Sequence, residues 1–294
     1  MATRKQWIEG ARPRTLPAAI APVLVGCAIA YYENGFAIAI AMLALVVSLA
    51  LQIGVNYSND YSDGIRGTDE NRVGPVRLVG QKLASPSEVR KAAFLCFGIG
   101  ALAGLGMVAL SGYYLLLPVG LAAIVAAWFY TGGPRPYGYA GFGEVFVFVF
   151  FGLVAVIGTS ASQTGHITTL SILAGCGCGL ISTAILIVNN LRDIPGDTQA
   201  SKRTLAVRMG DANTRWLYLA CVAVAGLLPL AMTMTGANPP ALATLGGLSV
   251  VLAIKPFRIL MSGALGRDLI PVLADTGKLL MAYAVLLSVG IALS

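Results

Sequence analysis

Charge is scarce in this sequence. Only 11% of its 294 residues are Asp, Glu, Lys or Arg, and a single residue is His. A soluble domain carries about 25% charged residues, so a soluble or disordered protein of this length would have too few charges to cover its surface. The net charge of +7 would suit a nucleic-acid-binding module, but a composition that is 57% apolar excludes that class.

Cysteine and histidine are also few, and they form no pattern typical of a metal centre. The five Cys residues all lie in apolar stretches, their number is odd, and none is paired in sequence with His166. Zinc sites and disulfide frameworks need regular spacings of these residues. The sequence therefore predicts neither.

Long apolar segments take the place of the missing charges. At about 20 residues per membrane-spanning helix, the sequence predicts an all-α membrane protein of about nine helices, forming one domain over residues 1–294. Two weak parallel halves, 15–131 and 143–255, precede a ninth helix. The expected spans are 15–33, 36–56, 91–111, 113–131, 143–160, 168–189, 214–235, 239–255 and 271–293.

The distribution of charge along the spans predicts their orientation in a cell membrane. With a cytoplasmic N-terminus, all twenty Lys and Arg residues fall in cytoplasmic segments, as the positive-inside rule requires. Nine spans then place the C-terminus outside. Twelve of the thirteen acidic residues share the cytoplasmic face, with Glu33 as the exception. Because the rule does not require this clustering of acids, we interpret it as a sign of chemistry at that face.

Two cytoplasmic loops carry polar stripes at the ends of spanning helices. Residues four apart share a helix face, so Asn59 aligns with Asp63, and Asn189 aligns with Asp193. Asp197 continues the second stripe. Four spans separate the two loops, and an even number returns both stripes to the same membrane face, where they can oppose each other.

Two opposed stripes of carboxylates and amides suit Mg²⁺, which prefers oxygen ligands together with water and phosphate oxygens. The cations that follow each stripe can contact phosphate directly. This combination suits the loss of diphosphate from an allylic substrate whose isoprenoid tail lies in the apolar interior. The candidate catalytic residues are Asn59, Asp63, Asn189 and Asp193. The candidate metal ligands are these four with Asp60, Asp69 and Asp197. The candidate diphosphate-binding residues are Arg66, Arg72, Arg77, Lys202 and Arg203.

At these residues the sequence resembles the UbiA superfamily of intramembrane aromatic prenyltransferases, and especially the actinobacterial form of its naphthoate branch. The resemblance covers almost the full length. It implies a bundle of about nine helices with a cytoplasmic cap and a lateral opening for lipid, and Mg²⁺ bound by the two Asp motifs. It also implies polyprenyl diphosphate and dihydroxynaphthoate as substrates, with loss of diphosphate and CO₂ in menaquinone synthesis. The segments that carry it are 10–17, 59–69, 72–79, 130–139, 189–193 and 204–210.

One position departs from the superfamily pattern. The first motif is often written Asn-x3-Asp-x3-Asp, but here Gly67 stands at the third position and the next carboxylate is Asp69. Whether Asp69 would bind metal directly is therefore left open by the resemblance.

Residues outside the two stripes allow two interpretations each. Arg12 and Arg14 serve either membrane topology or a contact with diphosphate or carboxylate. The segment 130–144, rich in Gly, Pro and Tyr, is either a tight interhelical turn or a wall of the aromatic-acceptor pocket. In the second case Arg135, Tyr137 and Tyr139 would bind the acceptor. Glu144 either caps a helix or takes part in the chemistry.

Two alternatives to this function stay open. The acceptor could be another aromatic compound such as 4-hydroxybenzoate. From a different class, the chain could be an ion-coupled transporter, because intramembrane carboxylates often mark ion pathways and transporters often contain repeats. Parallel halves, and Asp motifs at one face instead of the midplane, favour the prenyltransferase.

Overall fold

Helices and turns make up the computed structural model, which describes residues 2–67 and 76–294. No strand occurs in these two ranges. A π-helix, Val149–Val154, joins α6 to α7, and a 3₁₀ helix, Ala241–Ala253, precedes α10. The helices are α1 (Arg4–Gly10), α2 (Pro17–Tyr32), α3 (Ile38–Ile65), α4 (Pro86–Ser111), α5 (Leu116–Phe129), α6 (Gly143–Phe148), α7 (Ala155–Thr164), α8 (Thr169–Gln199), α9 (Leu205–Met232), α10 (Ile254–Met261) and α11 (Ile270–Ala292).

The protein is a multi-pass membrane protein, as predicted, but the count of nine spans is not confirmed. In the described ranges, seven helical segments are long and apolar enough to cross a membrane, and the pair Arg4–Thr15 and Pro17–Tyr32, bent by 51°, makes up to eight. The predicted span 113–131 corresponds to α5, which has 14 residues. At 1.5 Å per residue it is about 21 Å long, whereas the hydrocarbon core is about 30 Å thick.

Local sequence explains where several helices begin and bend. Ser85 caps α4, with Pro86 at its first position and the Glu88 side chain returning to the cap in a capping box. Thr168 caps α8 through the amide of Ser171. In α9, Gly210 has φ 76° and ψ 172°, a conformation that glycine adopts at little cost, and the helix bends there.

Two of the helices extend past their apolar runs and carry the polar stripes. Helix α3 continues to Ile65, so Asn59 and Asp63 lie on its last turns. Helix α8 continues through Pro195 to Gln199, so Asn189, Asp193 and Asp197 are all helical. The sequence prediction that these motifs end spanning helices is therefore confirmed.

The bundle packs around two larger apolar clusters. The first joins α2, α8, α9, the 3₁₀ helix and α11, and the second joins α3 and α4 to residues 78–79. The division into two parallel halves stays a prediction.

Helix α8 approaches the π-helix closely through glycines. A Cβ placed on Gly152 would lie 2.4 Å from the Cα of Gly179 and 2.5 Å from the carbonyl oxygen of Gly175. Small residues spaced four apart allow this kind of contact between membrane helices. Phe150 and Phe151 of the same π-helix line the central cavity, so the glycine contact also fixes part of the cavity wall.

We expect Gly152→Val to destabilise the fold, because backbone atoms that cannot rotate away surround the added side chain. Overpacking of this kind costs about 1–3 kcal/mol, which a thermal melt of purified protein in detergent would show as a lower Tm. Gly98→Ala is the matched control, because a Cβ at Gly98 meets nothing within 4 Å. An unchanged Tm for Gly152→Val would contradict the close packing of these helices.

Candidate functional site

A cavity of about 960 Å³ lies inside the bundle and carries both polar and apolar walls. The C-terminal turns of α3 and α8 and the loops near them supply most of its polar lining. Deeper in the bundle, residues such as Val47, Gly104, Met107 and Leu116 make it apolar. The charged and amide residues that line it are Glu9, Arg12, Arg14, Gln52, Asn56, Asn59, Asp63, Arg77, Asn189, Asn190, Arg192, Asp197 and Lys202.

Asp63 and Lys202 bring the two predicted loops together. The Lys202 Nζ lies 3.1 Å from the Asp63 Oδ1, and both side chains are almost fully buried. The hydroxyl of Tyr139 donates to the same carboxylate oxygen, and the Lys202 ammonium lies 4.5 Å from the centre of the Tyr139 ring. The first stripe, the loop that follows the second stripe and the 130–144 segment therefore meet at one point of the cavity.

The 131–133 segment is held against α3 by two further residues. The Thr131 hydroxyl donates to the Oδ1 of Asn59 at 2.8 Å. Arg66 donates to the backbone carbonyls of Thr131 and Gly133, and it is not among the described residues that line the cavity. A role for Arg66 in binding diphosphate stays a prediction, whereas its contact with this segment is observed.

Asp60 organises the chain that follows the first loop. Its carboxylate accepts hydrogen bonds from the backbone amides of Leu78, at 2.6 Å, and Val79, at 3.1 Å. It is 1% exposed and, unlike its neighbour Asn59, does not line the cavity in the described structure. Arg77, one residue before this contact, does line it. A role for Asp60 as a metal ligand stays a prediction. Asp69 and Arg72 lie outside the described residues.

On α8, Arg192 holds the second stripe together. Its Nε and Nη2 each lie 2.8 Å from one carboxylate oxygen of Asp193, and its Nη2 also donates to the Oδ1 of Asn189 at 2.9 Å. Arg192, Asn189 and Asp197 line the cavity, whereas Asp193 is not among the described lining residues. The roles of Asn189, Asp193 and Asp197 as ligands stay predictions. Sequence analysis had not selected Arg192, although its spacing of three from Asn189 places it on the same helix face.

An aromatic wall lies on another side of the cavity. Tyr137 stacks on Phe146 with ring centres 3.9 Å apart, and the ring centres of Phe146 and Phe150 are 6.0 Å apart. The Tyr137 hydroxyl donates to the carbonyl of Ala126 at 2.9 Å, and burial raises the pKa of this phenol, so it stays a donor. All three rings line the cavity. Of these three residues, Tyr137 is the one that the sequence analysis names as a candidate for binding the acceptor.

The remaining predicted residues divide into two groups. Arg12 and Arg14 line the cavity, as does Tyr139. Arg135 and Arg203 are exposed and are not among the described lining residues. The backbone amide of Arg203 donates to the carbonyl of Tyr139 at 2.9 Å. Binding roles for the Arg135 and Arg203 side chains stay predictions.

Glu144 and Asn190 form a polar pair that sequence analysis did not connect. The Asn190 Nδ2 donates to the Glu144 Oε1 at 2.9 Å, and both residues are buried. Asn190 follows Asn189 directly and lines the cavity. The sequence feature that could have indicated this pair is Asn190, a second amide directly after Asn189 at the end of the apolar part of α8.

Taken together, the described lining residues include five cations and three carboxylates, so the cavity favours an anionic ligand. Within residues 2–67 and 76–294, no group of three or more His, Cys, Asp or Glu residues is arranged to hold a metal ion. A cation bound here would therefore share its coordination with amide oxygens and with oxygens of the ligand itself.

We expect Asp60→Asn to destabilise the protein, because an amide cannot accept from both backbone N–H groups as a carboxylate does. Loss of hydrogen bonds to a buried charged group costs about 1.5–3 kcal/mol, measurable as a lower Tm. Asp268→Asn, at an exposed position, is the control and should stay within about 0.5 kcal/mol. If Asp60→Asn melted like the control, the carboxylate would not be holding residues 78–79.

Comparisons with known proteins show the family of the chain. The model of the UbiA prenyltransferase family matches residues 19–267. A 1,4-dihydroxy-2-naphthoate octaprenyltransferase of Mycobacterium tuberculosis is 51% identical over 284 residues, which are 97% of this chain and 96% of that protein. A protein of the same name from Escherichia coli is 40% identical over 232 residues, 77% of this chain and 75% of that protein. A solved UbiA homolog from Archaeoglobus fulgidus, bound to DMAPP and Mg²⁺, covers 97% of this chain and 99% of its own, with a TM-score of 0.69 and 15% identity. These matches confirm the all-helical fold and the resemblance found in the sequence: the chain belongs to the UbiA prenyltransferase family.

Proposed function

We propose that this protein transfers a polyprenyl group from polyprenyl diphosphate to 1,4-dihydroxy-2-naphthoate, with loss of diphosphate and CO₂, to give the hydroquinone form of demethylmenaquinone. The observation that carries this proposal is the continuity of the cavity. One space joins a cation-rich end, an aromatic wall and a long apolar section. These three parts match the diphosphate, the aromatic acceptor and the isoprenoid tail in turn. The identity of 51% to the mycobacterial naphthoate enzyme supports the choice of acceptor.

The donor set at the polar end fits Mg²⁺. Asn59 and Asp63 lie one turn apart on α3, and Asn189 and Asp197 lie on α8, and all four line the cavity. Carboxylate and amide oxygens are hard ligands, and Mg²⁺ takes a few of them together with water and substrate phosphate. We therefore assign these four residues to the metal, and a related structure was solved with Mg²⁺ bound. When bound, Mg²⁺ would neutralise the charge that develops on the departing diphosphate.

The cations of the cavity hold the diphosphate. Lys202, Arg77 and Arg192 are each buried and line the polar end, where a low dielectric strengthens their attraction for phosphate oxygens. Asp60 positions Arg77 through the neighbouring backbone, and Asp193 orients Arg192 as its counterion. We propose these positioning roles for Asp60 and Asp193 in place of direct contact with metal.

The reaction breaks the bond between the allylic C1 and the diphosphate oxygen, and the electron pair leaves with the diphosphate. The electron-rich ring of the acceptor, stacked on the wall of Tyr137, Phe146 and Phe150, then forms a bond to C1. The apolar section excludes water, which would otherwise capture the allylic cation. The ring carboxylate then leaves as CO₂ from the carbon that formed the new bond, and the electron pair of the broken C–C bond restores the aromatic ring.

We also propose that the polar end of the cavity faces the cytoplasm, with the N-terminus on the same side and the C-terminus outside. Glu9 and Arg12, near the N-terminus, line the polar end. Helix α11 begins beside the cavity at Ile270, and Ser294 at the other end of that helix contacts Leu242. The positive-inside rule places the basic residues of the polar end in the cytoplasm.

A product assay tests the proposed function. Purified protein with Mg²⁺, a polyprenyl diphosphate and dihydroxynaphthoate should give prenylated, decarboxylated product by mass spectrometry. Asp63→Ala and Asp197→Ala should each lower kcat by about 10² to 10³, the usual loss for one well-placed electrostatic group. Glu33→Gln, at the opposite end of the bundle, is the control. If product formed only with 4-hydroxybenzoate, the proposed acceptor would be wrong. If no acceptor led to release of diphosphate, the proposed transferase activity would be wrong.

Cysteine labelling in whole cells tests the orientation. In a background without the five native Cys residues, Thr164→Cys should react with a membrane-impermeant maleimide added from outside. Ser201→Cys should react only after the membrane is opened, because it lies in the loop that carries Lys202. Labelling of Ser201→Cys from outside would reverse the proposed orientation.

A further inference from the structure

Glu144 is a buried carboxylate that the proposed mechanism does not use. It lies at the start of α6 and is 5% exposed. Its Oε1 accepts a hydrogen bond from the Asn190 Nδ2 at 2.9 Å, whereas its Oε2 has no hydrogen-bond partner among the residues described. Packing alone does not favour a buried and incompletely satisfied carboxylate, because an unmade hydrogen bond there is costly. The burial of Glu144 therefore indicates a functional role.

The carboxylate determines which way the Asn190 amide faces. The Glu144 Oε1 accepts from the Asn190 Nδ2, so the NH₂ group of the amide is turned to Glu144. With Nδ2 turned to Glu144, the Oδ1 is the end left for other partners. Since Asn190 lines the cavity, Glu144 makes it present a hydrogen-bond acceptor there instead of a donor.

The same part of α6 carries the aromatic wall. Phe146, two residues after Glu144, stacks between Tyr137 and Phe150, and all three line the cavity with Asn190. A flat aromatic ligand on this wall would thus share one cavity with a fixed hydrogen-bond acceptor. Among the groups on the proposed substrates, diphosphate and an ionised ring carboxylate can only accept hydrogen bonds. An aromatic hydroxyl is the group that can donate one.

We propose that Glu144 is a positioning residue that fixes the Asn190 amide, so that its Oδ1 accepts a hydrogen bond from a hydroxyl group of the aromatic acceptor. This inference rests on the proposed function. Its consequence is selectivity: the pair orients the ring on the Phe146 wall and favours acceptors that carry a free hydroxyl over those in which it is blocked.

Glu144→Gln tests the inference, because the glutamine introduced can donate to the Asn190 Oδ1 and turn the amide round. We expect the KM for the aromatic acceptor to rise about 5–10-fold, the loss typical of one hydrogen bond. The KM for prenyl diphosphate and the Mg²⁺ requirement should not change. Thr183→Val is the matched control. Its hydroxyl contacts the backbone carbonyl of Glu144 from the same helix as Asn190, and its loss should leave the acceptor KM unchanged.

A reciprocal double variant separates positioning from a structural effect. In Glu144→Gln with Asn190→Asp, the new amide donates to one oxygen of the new carboxylate and leaves the other oxygen facing the cavity. Net charge is preserved, and the acceptor KM should return towards the wild-type value. A merely structural role for Glu144 predicts no such rescue.

A third arm uses the wild-type protein and does not depend on the folding of any variant. Two isomeric acceptors can be made in which one of the two hydroxyls is replaced by methoxy. One of these isomers should show the same 5–10-fold rise in KM. Equal KM values for both methoxy isomers and the parent acceptor would overturn the inference. So would a Glu144→Gln variant that changes only the KM for prenyl diphosphate or the Mg²⁺ requirement. If the wild-type protein transfers no prenyl group at all, the proposed function itself fails.

Discussion

The buried ion pair between Lys202 and Asp63 is the contact on which the arrangement of the site depends. It joins the last turn of α3 to the loop after α8, and Tyr139 adds the third segment through the same oxygen. Charges removed from water must be paired, because an unpaired buried charge is strongly destabilising. In an apolar bundle this requirement forces segments that are distant in sequence into contact. The need to pair buried charges, which limits the number of charged residues elsewhere in the chain, therefore also holds the site together.

The same requirement explains why several acids of the two motifs have partners within the protein. Asp60 is held by two backbone amides, and Asp193 is held by Arg192. Neither is among the described residues of the cavity wall, whereas Asp63 and Asp197 are. A motif that looks uniform in sequence thus separates into residues that line the cavity and residues that hold their neighbours. The support matters because Arg77 and Arg192, next to these acids, do line the cavity.

Shape contributes as much as charge. The glycine contact between the π-helix and α8 brings Phe150 beside the cavity, and the α6 segment before it carries both Phe146 and Glu144. Two aromatic rings and the carboxylate that contacts Asn190 then stand on one short stretch of backbone. A wall built in this way can orient a flat ring while the rest of the cavity stays apolar for a long tail.

The sequence by itself determined the membrane class, the helical fold and the location of the two polar stripes, because scarcity of charge, apolar runs of spanning length and spacings of four are local properties. It also identified the family. Only the tertiary structure decided that α5 is too short to match a full span, that Asp60 accepts from the backbone of residues 78–79, that Arg192 binds Asp193, and that Asn190 donates to Glu144. Each of these depends on which helices touch and on where a side chain finds its partner. The contacts of Asp60, Glu144 and Lys202 join residues 18, 46 and 139 positions apart, and no local pattern encodes them.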